Sequence, residues 1–192
     1  MREIVFDTET TGLDSANDRI VEIGCVELLN HIPTGRRLQL YVNPGRRMAA
    51  EAIAVHGITE AFLADKPPFG QVVDELLAFI GDAPLIAHNA DFDFAFLNAE
   101  LERVGLRPIA PHRKIDSLML SRRKHPAGPN SLDALCSRYS IDATRRTLHG
   151  ALLDSELLAA GSVERRGGRQ ASLALAAPRE PATNDLPGAG RF

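Results

Sequence analysis

Cysteine is scarce and dispersed in this chain. Cys25 and Cys136 stand in separate apolar segments, so no disulfide framework or zinc knuckle is implied, and both read as buried thiols of a cytosolic protein. Long hydrophobic runs are also missing. No stretch approaches the ~18 apolar residues of a membrane span, so no membrane association is expected. Met1-Arg2-Glu3 leads directly into a strand-like pattern, and no signal peptide is expected. The third absence is an excess of positive charge. With a formal net charge of -3, the protein is not expected to wrap long duplex through a broad basic face, although a nucleic-acid substrate stays open. Internal repeats are absent too.

What remains is the make-up of an ordinary globular domain: 192 residues, 44% hydrophobic and 24% charged. That suffices for one compact domain with a sizeable core, plus a tail. REIVFDT (2–8) is a nearly continuous apolar run, the pattern of a strand covered on both faces. RIVEIGCVELL (19–29) and RLQLYV (37–42) follow at hairpin-like spacing, and Asn43-Pro44-Gly45 closes a three-stranded meander.

From Met48 the period changes. FGQVVDELLAFI (69–80) is a helix, PLIA (84–87) a short buried strand, and a long helix runs from His88-Asn89 to near Gly105. Residues 115–118 fit either a fifth strand or a helix start. Ser131 is placed to cap a helix over SLDALCSRY. Strands followed by alternating helices and strands predict an α/β fold on a mixed sheet. The folded domain is assigned to residues 1–160, and a degraded helix end with a flexible tail to 161–192. From about 177 onward, Pro, Gly and Ala dominate and the chain reads as disordered.

The chemistry lies in the acids. Asp7 and Glu9 share one face of the first strand, with Phe6 and Thr8 on the other. Two carboxylates about 4 Å apart repel by roughly 4 kcal/mol at an effective dielectric near 20, so separation, protonation or a cation must offset them. HNADFDFAFL (88–97) adds Asn89, Asp91 and Asp93 around a helix start, where Asn89 and Asp91 fit capping and Asp93 sits a turn inside between Phe92 and Phe94. HGALLDSELLA (149–159) adds Asp154 with His149 five residues before it. That is about 140° around an ideal helix, so His149 is expected on the loop, swinging in from outside. Asp7, Glu9, Asp93 and Asp154 would make an all-oxygen site, suited to Mg²⁺ or Mn²⁺ and unsuited to zinc.

In order and spacing, FDTET, HNADFD and HGALLD resemble the three motifs of the DEDDh 3′→5′ exonuclease family. More narrowly, the chain resembles its proofreading branch, the epsilon-type subunits of bacterial DNA polymerase III. The likeness spans residues 1 to about 158 and includes VHGIT (55–59), FLADKPPF (62–69) and NSLDALCSRY (130–139). The His-x4-Asp spacing separates this branch from the sister branch that uses a Tyr on the helix.

The resemblance implies a ribonuclease-H-like fold, a five-stranded mixed sheet flanked by helices. It implies removal of nucleotides from a DNA 3′ end as 5′-monophosphates, with two divalent cations, Mg²⁺ or Mn²⁺. Asp7, Glu9 and Asp154 would hold the catalytic ion, Asp93 would support a second through water, and His149 would be the general base. Thr8, Thr10, Gly12, His56 and Asn89 would lie at the terminal nucleotide, each with a structural reading beside that one: an ordinary strand-to-turn exit for Thr8, Thr10 and Gly12, a structural histidine for His56, and a helix start for Asn89. Arg122-Arg123-Lys124 and Arg145-Arg146 flank the motif-bearing helices, where they would touch phosphates or form solvated faces.

GGRQASLAL (167–175) resembles the family's clamp-binding segment, with Gln170, Leu173 and Leu175 as anchors. The polymerase catalytic subunit is the implied partner. That expectation is weakened because the family's longer tether is not seen before Phe192. The implied location is the cytoplasmic replication machinery of a bacterium. After Leu158 the sequence departs from the pattern: Gly161 costs about 1 kcal/mol against Ala in a helix and the apolar stripe is lost, so fraying is expected near Asp154. Competing expectations are an exonuclease of RNA or short oligonucleotides, and a non-catalytic polymerase-associated scaffold.

Overall fold

A computed structural model describes residues 1–144 and 148–165, with side chains as far as Gly161. Gln170, Leu173, Leu175, the tail and Arg145-Arg146 lie outside the described residues. Three antiparallel strands open the fold: β1 (Arg2–Thr10), β2 (Ile20–Leu29) and β3 (Ile32–Tyr41). Then come α1 (Ala50–His56), α2 (Glu60–Leu63), α3 (Phe69–Ile80), β4 (Leu85–Ala87), α4 (Ala90–Arg103), β5 (Lys114–Asp116), α5 (Ser117–Lys124), α6 (Leu132–Arg138) and α7 (Ala151–Arg165). The sheet order is β3-β2-β1-β4-β5, with β4 parallel to β1 and β5 parallel to β4. This is the five-stranded mixed sheet that the resemblance implies.

β1 is the middle strand, and its near-continuous apolar run follows from cover on both faces. Ile4 and Phe6 face α3 and α4, where Phe6 meets the Phe94 ring edge-on at 5.4 Å. Val5 faces the other way, into a cluster with Val26, Ile86, Cys136, Leu157 and Leu158 under α6 and α7. Residues 69, 72, 73, 76 and 80 of α3 are all buried, a helical stripe at spacings of three and four. Cys25 and Cys136 are both buried, and burial pushes the Cys25 thiol up to about 12.

One boundary differs from the sequence reading, and one open choice is resolved. β3 begins at Ile32, five residues before Arg37, because Asn30 and His31 both adopt positive φ (51° and 68°) and turn the chain in two residues. That two-residue geometry is usually signalled by Asn-Gly, and His31 hides it. The undecided segment at 115–118 is both alternatives in succession: β5 ends at Asp116, whose carboxylate caps α5 by accepting the N–H groups of Leu118 and Met119.

Gly161, where a degraded helix end is expected, lies within α7. α7 continues across position 160 to Arg165. Its small residues continue the buried face, with Ala159 and Gly161 both buried and Gly161 beside Ile141. Ser131 caps α6 as expected, its Oγ accepting from Ala134 N–H.

Candidate active site

At the C-terminal end of β1 the side chains divide by the strand's alternation. Asp7 and Glu9 fall on the α7 side and Thr8 on the α4 side. Asp154, in the first turn of α7, is buried. His149 precedes the helix on a half-exposed loop, its backbone N–H donating to Val55 O at 3.1 Å. Its Nδ1 lies 3.2 Å from Asp154 Oδ2, so the loop does bring the imidazole to the acid although the two residues share no helical face. Ligand atoms of Glu9, His149 and Asp154 all lie within 4.8 Å of one another. Asp7 stands beside them, lining the same clefts as His149 and Asp154.

Asp93 arrives from α4 on the opposite face. Thr8 holds it twice, donating its backbone N–H at 2.9 Å and its Oγ at 2.8 Å to the same oxygen, Oδ1. Burial still dominates and pushes the Asp93 carboxyl up to about 7 against those bonds, with Asp116 adding to the rise. Asp7 is raised well above the ordinary carboxylate range by burial and then by Asp93, Glu9, Asp154 and Glu22. Burial and crowding of this kind favour the protonated form of Asp7 and Asp93, and a cation opposes that effect. The donor set is mostly oxygen and concentrates negative charge, which fits a hard divalent ion.

Two clefts meet at Asp7, His88, Asn89, His149 and Asp154. One, of about 850 Å³, is walled by Leu13, Met48, Val55 and Phe92 as well as the motif residues. The other, of about 720 Å³, carries Arg122, Asn130 and Ser131. The first has an apolar wall suited to a base and sugar, while the second is more polar.

The remaining candidates are placed as follows. Thr10 Oγ donates to Gly12 O at 2.6 Å, and a Cβ at Gly12 would lie 2.4 Å from the Asp18 carboxylate, which would have to move aside. His56 is buried with both ring nitrogens engaged. Ile58 N–H donates to Nδ1 at 3.0 Å, which leaves the proton on Nε2 facing Thr10 O at 3.3 Å. Burial lowers its pKa, and His149 adds to the lowering while the Thr10 carbonyl opposes it. Asn89 occupies the N-cap position of α4 with a left-handed φ of 68° and makes no side-chain capping bond; it is exposed at the junction of the clefts. Asp91 points outward and pairs with Lys114. Sequence reasoning missed Glu22 and Asp116, two acids near the cluster. An acid inside the apolar run of β2 was the signal for Glu22.

A mixed five-stranded sheet with acids converging from both faces at the end of its middle strand defines a class of nuclease. The RNase T exonuclease family model matches residues 4–160, and the chain belongs to this exonuclease family. Enzymes of this kind are metal-dependent, and Glu9, His149 and Asp154 form a cluster able to take an ion.

Its relatives narrow the class. The DNA polymerase III subunit epsilon of Rickettsia felis is 45% identical over 190 residues, covering 97% of this chain and 82% of the relative. The subunit of the same name from Escherichia coli is 44% identical over 183 residues, covering 91% and 75%. Among solved structures, Exonuclease X in complex with 5′ overhanging duplex DNA superposes with a TM-score of 0.62 at 28% identity, covering 86% of this chain and 93% of that one. Exonuclease I of E. coli with an oligonucleotide gives a TM-score of 0.73 at 19% identity, a likeness of fold alone in which this chain spans 41% of the other.

Proposed function

We propose that this chain is a 3′→5′ DNA exonuclease of the proofreading type, which removes terminal nucleotides as 5′-monophosphates. The observation that carries the reading is the meeting of Glu9, Asp154 and His149, beside Asp7, at the end of the middle strand. The names of the relatives, epsilon subunits of a DNA polymerase, support the direction and the partner.

Asp7, Glu9 and Asp154 would hold one divalent cation, Mg²⁺ or Mn²⁺, and Asp7 with Asp93 would support a second. Such ions supply charge neutralisation at the phosphate, an activated water and stabilisation of the leaving oxygen. The protein's own groups then orient and move protons. Asp154 fixes the imidazole of His149 by accepting from Nδ1–H, which makes Nε2 the nitrogen that takes the proton of the attacking water. The loop position of His149 lets it reach the cleft without belonging to the helix. Thr8 holds Asp93 in place, and His56 ties α1 to the Thr10 carbonyl at the end of β1. The wall of Met48, Val55 and Phe92 would receive the terminal base and sugar, next to Thr10, Gly12 and Asn89.

We extend the reading to association with a polymerase catalytic subunit, to clamp contact through Gln170, Leu173 and Leu175, and to the bacterial cytoplasm. Among the described residues no helix is long and apolar enough to cross a membrane.

The test is degradation of a 3′-mismatched DNA primer in Mg²⁺, beside the Asp7→Ala variant and a matched RNA strand. Metal-dependent release of deoxynucleoside monophosphates, lost in the variant and weak on RNA, is the expected result. Preference for RNA would move the substrate to ribonucleotide ends. A folded chain that binds Mg²⁺ without turnover would make it a scaffold.

A further inference from the structure

Glu22 belongs to none of the motifs, yet it is a buried acid level with the site. In the β1–β2 ladder it lies directly across from Glu9, and Gly24 lies across from Asp7. Both therefore face α7, and three features join them to its first turn. Ala151 N–H donates to Glu22 Oε2 at 3.1 Å. Ser155 Oγ, also buried, donates to Gly24 O at 3.0 Å. A Cβ on Gly24 would lie 2.2 Å from the Ala151 carbonyl carbon and the Leu152 nitrogen, so the helix backbone rests directly on the strand.

The start of α7 needs such a partner. The first N–H groups of a helix have no acceptor within it. Gly150, whose carbonyl accepts Asp154 N–H at 2.9 Å, has no side chain to offer them. A carboxylate from the neighbouring strand serves instead, with a charge that suits the helix's positive end. Gln39 Nε2 on β3 holds the other oxygen of Glu22 at 2.7 Å, so the carboxylate is tied down on both sides.

Asp154 lies between the two tethered residues, Ala151 and Ser155. We propose that Glu22, with Gly24 and Ser155, is a positioning clasp that sets the height and rotation of Asp154 against Asp7 and Glu9, and through them the affinity of the site for a divalent cation. The inference rests on the reading of those three acids as ion ligands. Glu22 reaches Asp154 through α7, and its charge also bears on Asp7, an effect that the Glu22→Gln variant separates. Displacements of about 1 Å at such sites change rates by about 100-fold, so the seating of this turn carries a large lever.

The experiment uses the full chain and Mn²⁺ alone as probe, by calorimetry, with kcat and KM then measured on a single-stranded DNA oligonucleotide. Glu22→Ala is expected to weaken Mn²⁺ binding about tenfold and to lower kcat at limiting Mn²⁺ in step, with KM for the oligonucleotide within about twofold. Glu22→Gln, whose amide oxygen still accepts from Ala151 N–H, is expected to recover most of the affinity. Ser155→Ala is expected to weaken it about two- to threefold.

A folded Glu22→Ala variant with wild-type Mn²⁺ affinity overturns the proposal. So does a Glu22→Gln variant as impaired as Glu22→Ala, which would assign the effect to charge. If Glu22→Ala does not fold, unchanged affinity in Ser155→Ala overturns it. A wild-type chain that binds Mn²⁺ and leaves DNA intact would sink the nuclease reading alone, because calorimetry reports on the clasp without turnover.

Discussion

Glu27 and Asp7 stand three rungs apart on paired strands, and their surroundings pull them in opposite directions. Glu27, near the start of β1, receives Arg2 Nε at 2.6 Å, Thr34 Oγ at 2.8 Å and Arg36 at 2.9 Å. Arg2 first, then Thr34 and Arg36, hold its carboxyl below the usual range. Asp7 is buried among acids and raised well above that range. One end of the sheet thus stores negative charge with its partners built in, and the other collects it for a partner that must be bound. The first arrangement serves the fold, and the second costs stability until an ion arrives.

The largest effect that would sharpen this contrast is on rate. Asp7→Asn is expected to lower kcat by about 1,000-fold, several kcal/mol of transition-state charge stabilisation, while raising the melting temperature of the ion-free protein. Single-turnover hydrolysis and thermal melts in EDTA measure the two halves, and an ion-free melting temperature below wild type would break the contrast.

Asp93 supplies the pH test. Its carboxyl is raised from an ordinary 3.8 to about 7, so between those values the folded chain binds a proton that the unfolded chain has lost. The stability this confers is complete below about pH 4 and is lost as pH rises toward 7, at most about 4 kcal/mol in total. Urea midpoints in EDTA at pH 5 and pH 8 should therefore differ less for Asp93→Asn than for the wild type, and Mg²⁺ should narrow the wild-type difference at pH 8. Equal pH dependence in the two proteins would show that the raised carboxyl has no energetic weight.

Next in size, His149→Ala is expected to slow hydrolysis about 100-fold with Mn²⁺ affinity little changed, and to abolish the rise in rate with pH that a general base produces. A variant whose pH–rate profile keeps that rise would remove His149 from the role. The smallest effect lies at the other end of the sheet. Arg2→Met should cost about 2 kcal/mol in urea denaturation by leaving Glu27 short of a charged partner, with kcat unchanged. A loss of activity there would mean that the two ends are coupled.

Much of the site was legible in the chain itself because its signals are local. An acid pair in an apolar strand, an Asp a turn into a helix after a buried strand, and His-x4-Asp at a loop–helix junction each reveal a carboxylate placed against hydropathy. Helix α3 was legible to the residue because its burial follows the helical period without interruption. Other features depended on partners distant in sequence. Glu22 is 129 residues from the N–H it accepts, and Thr8 is 85 residues from Asp93. Gly161 reads locally as a helix breaker, yet α7 runs through it, buried beside Ile141.

By itself, the sequence determined which carboxylates and which imidazole this protein brings to its site, and on what kind of element each is carried, since alternation and helical period act over a few residues. Only the tertiary structure decided that Asp7 and Glu9 meet Asp154 on one face of the sheet while Thr8 secures Asp93 on the other. It also decided that Glu22, Gly24 and Ser155 seat the helix between them. Those relations join strands and helices through register and close backbone contact, and that energy exists only once the elements have packed.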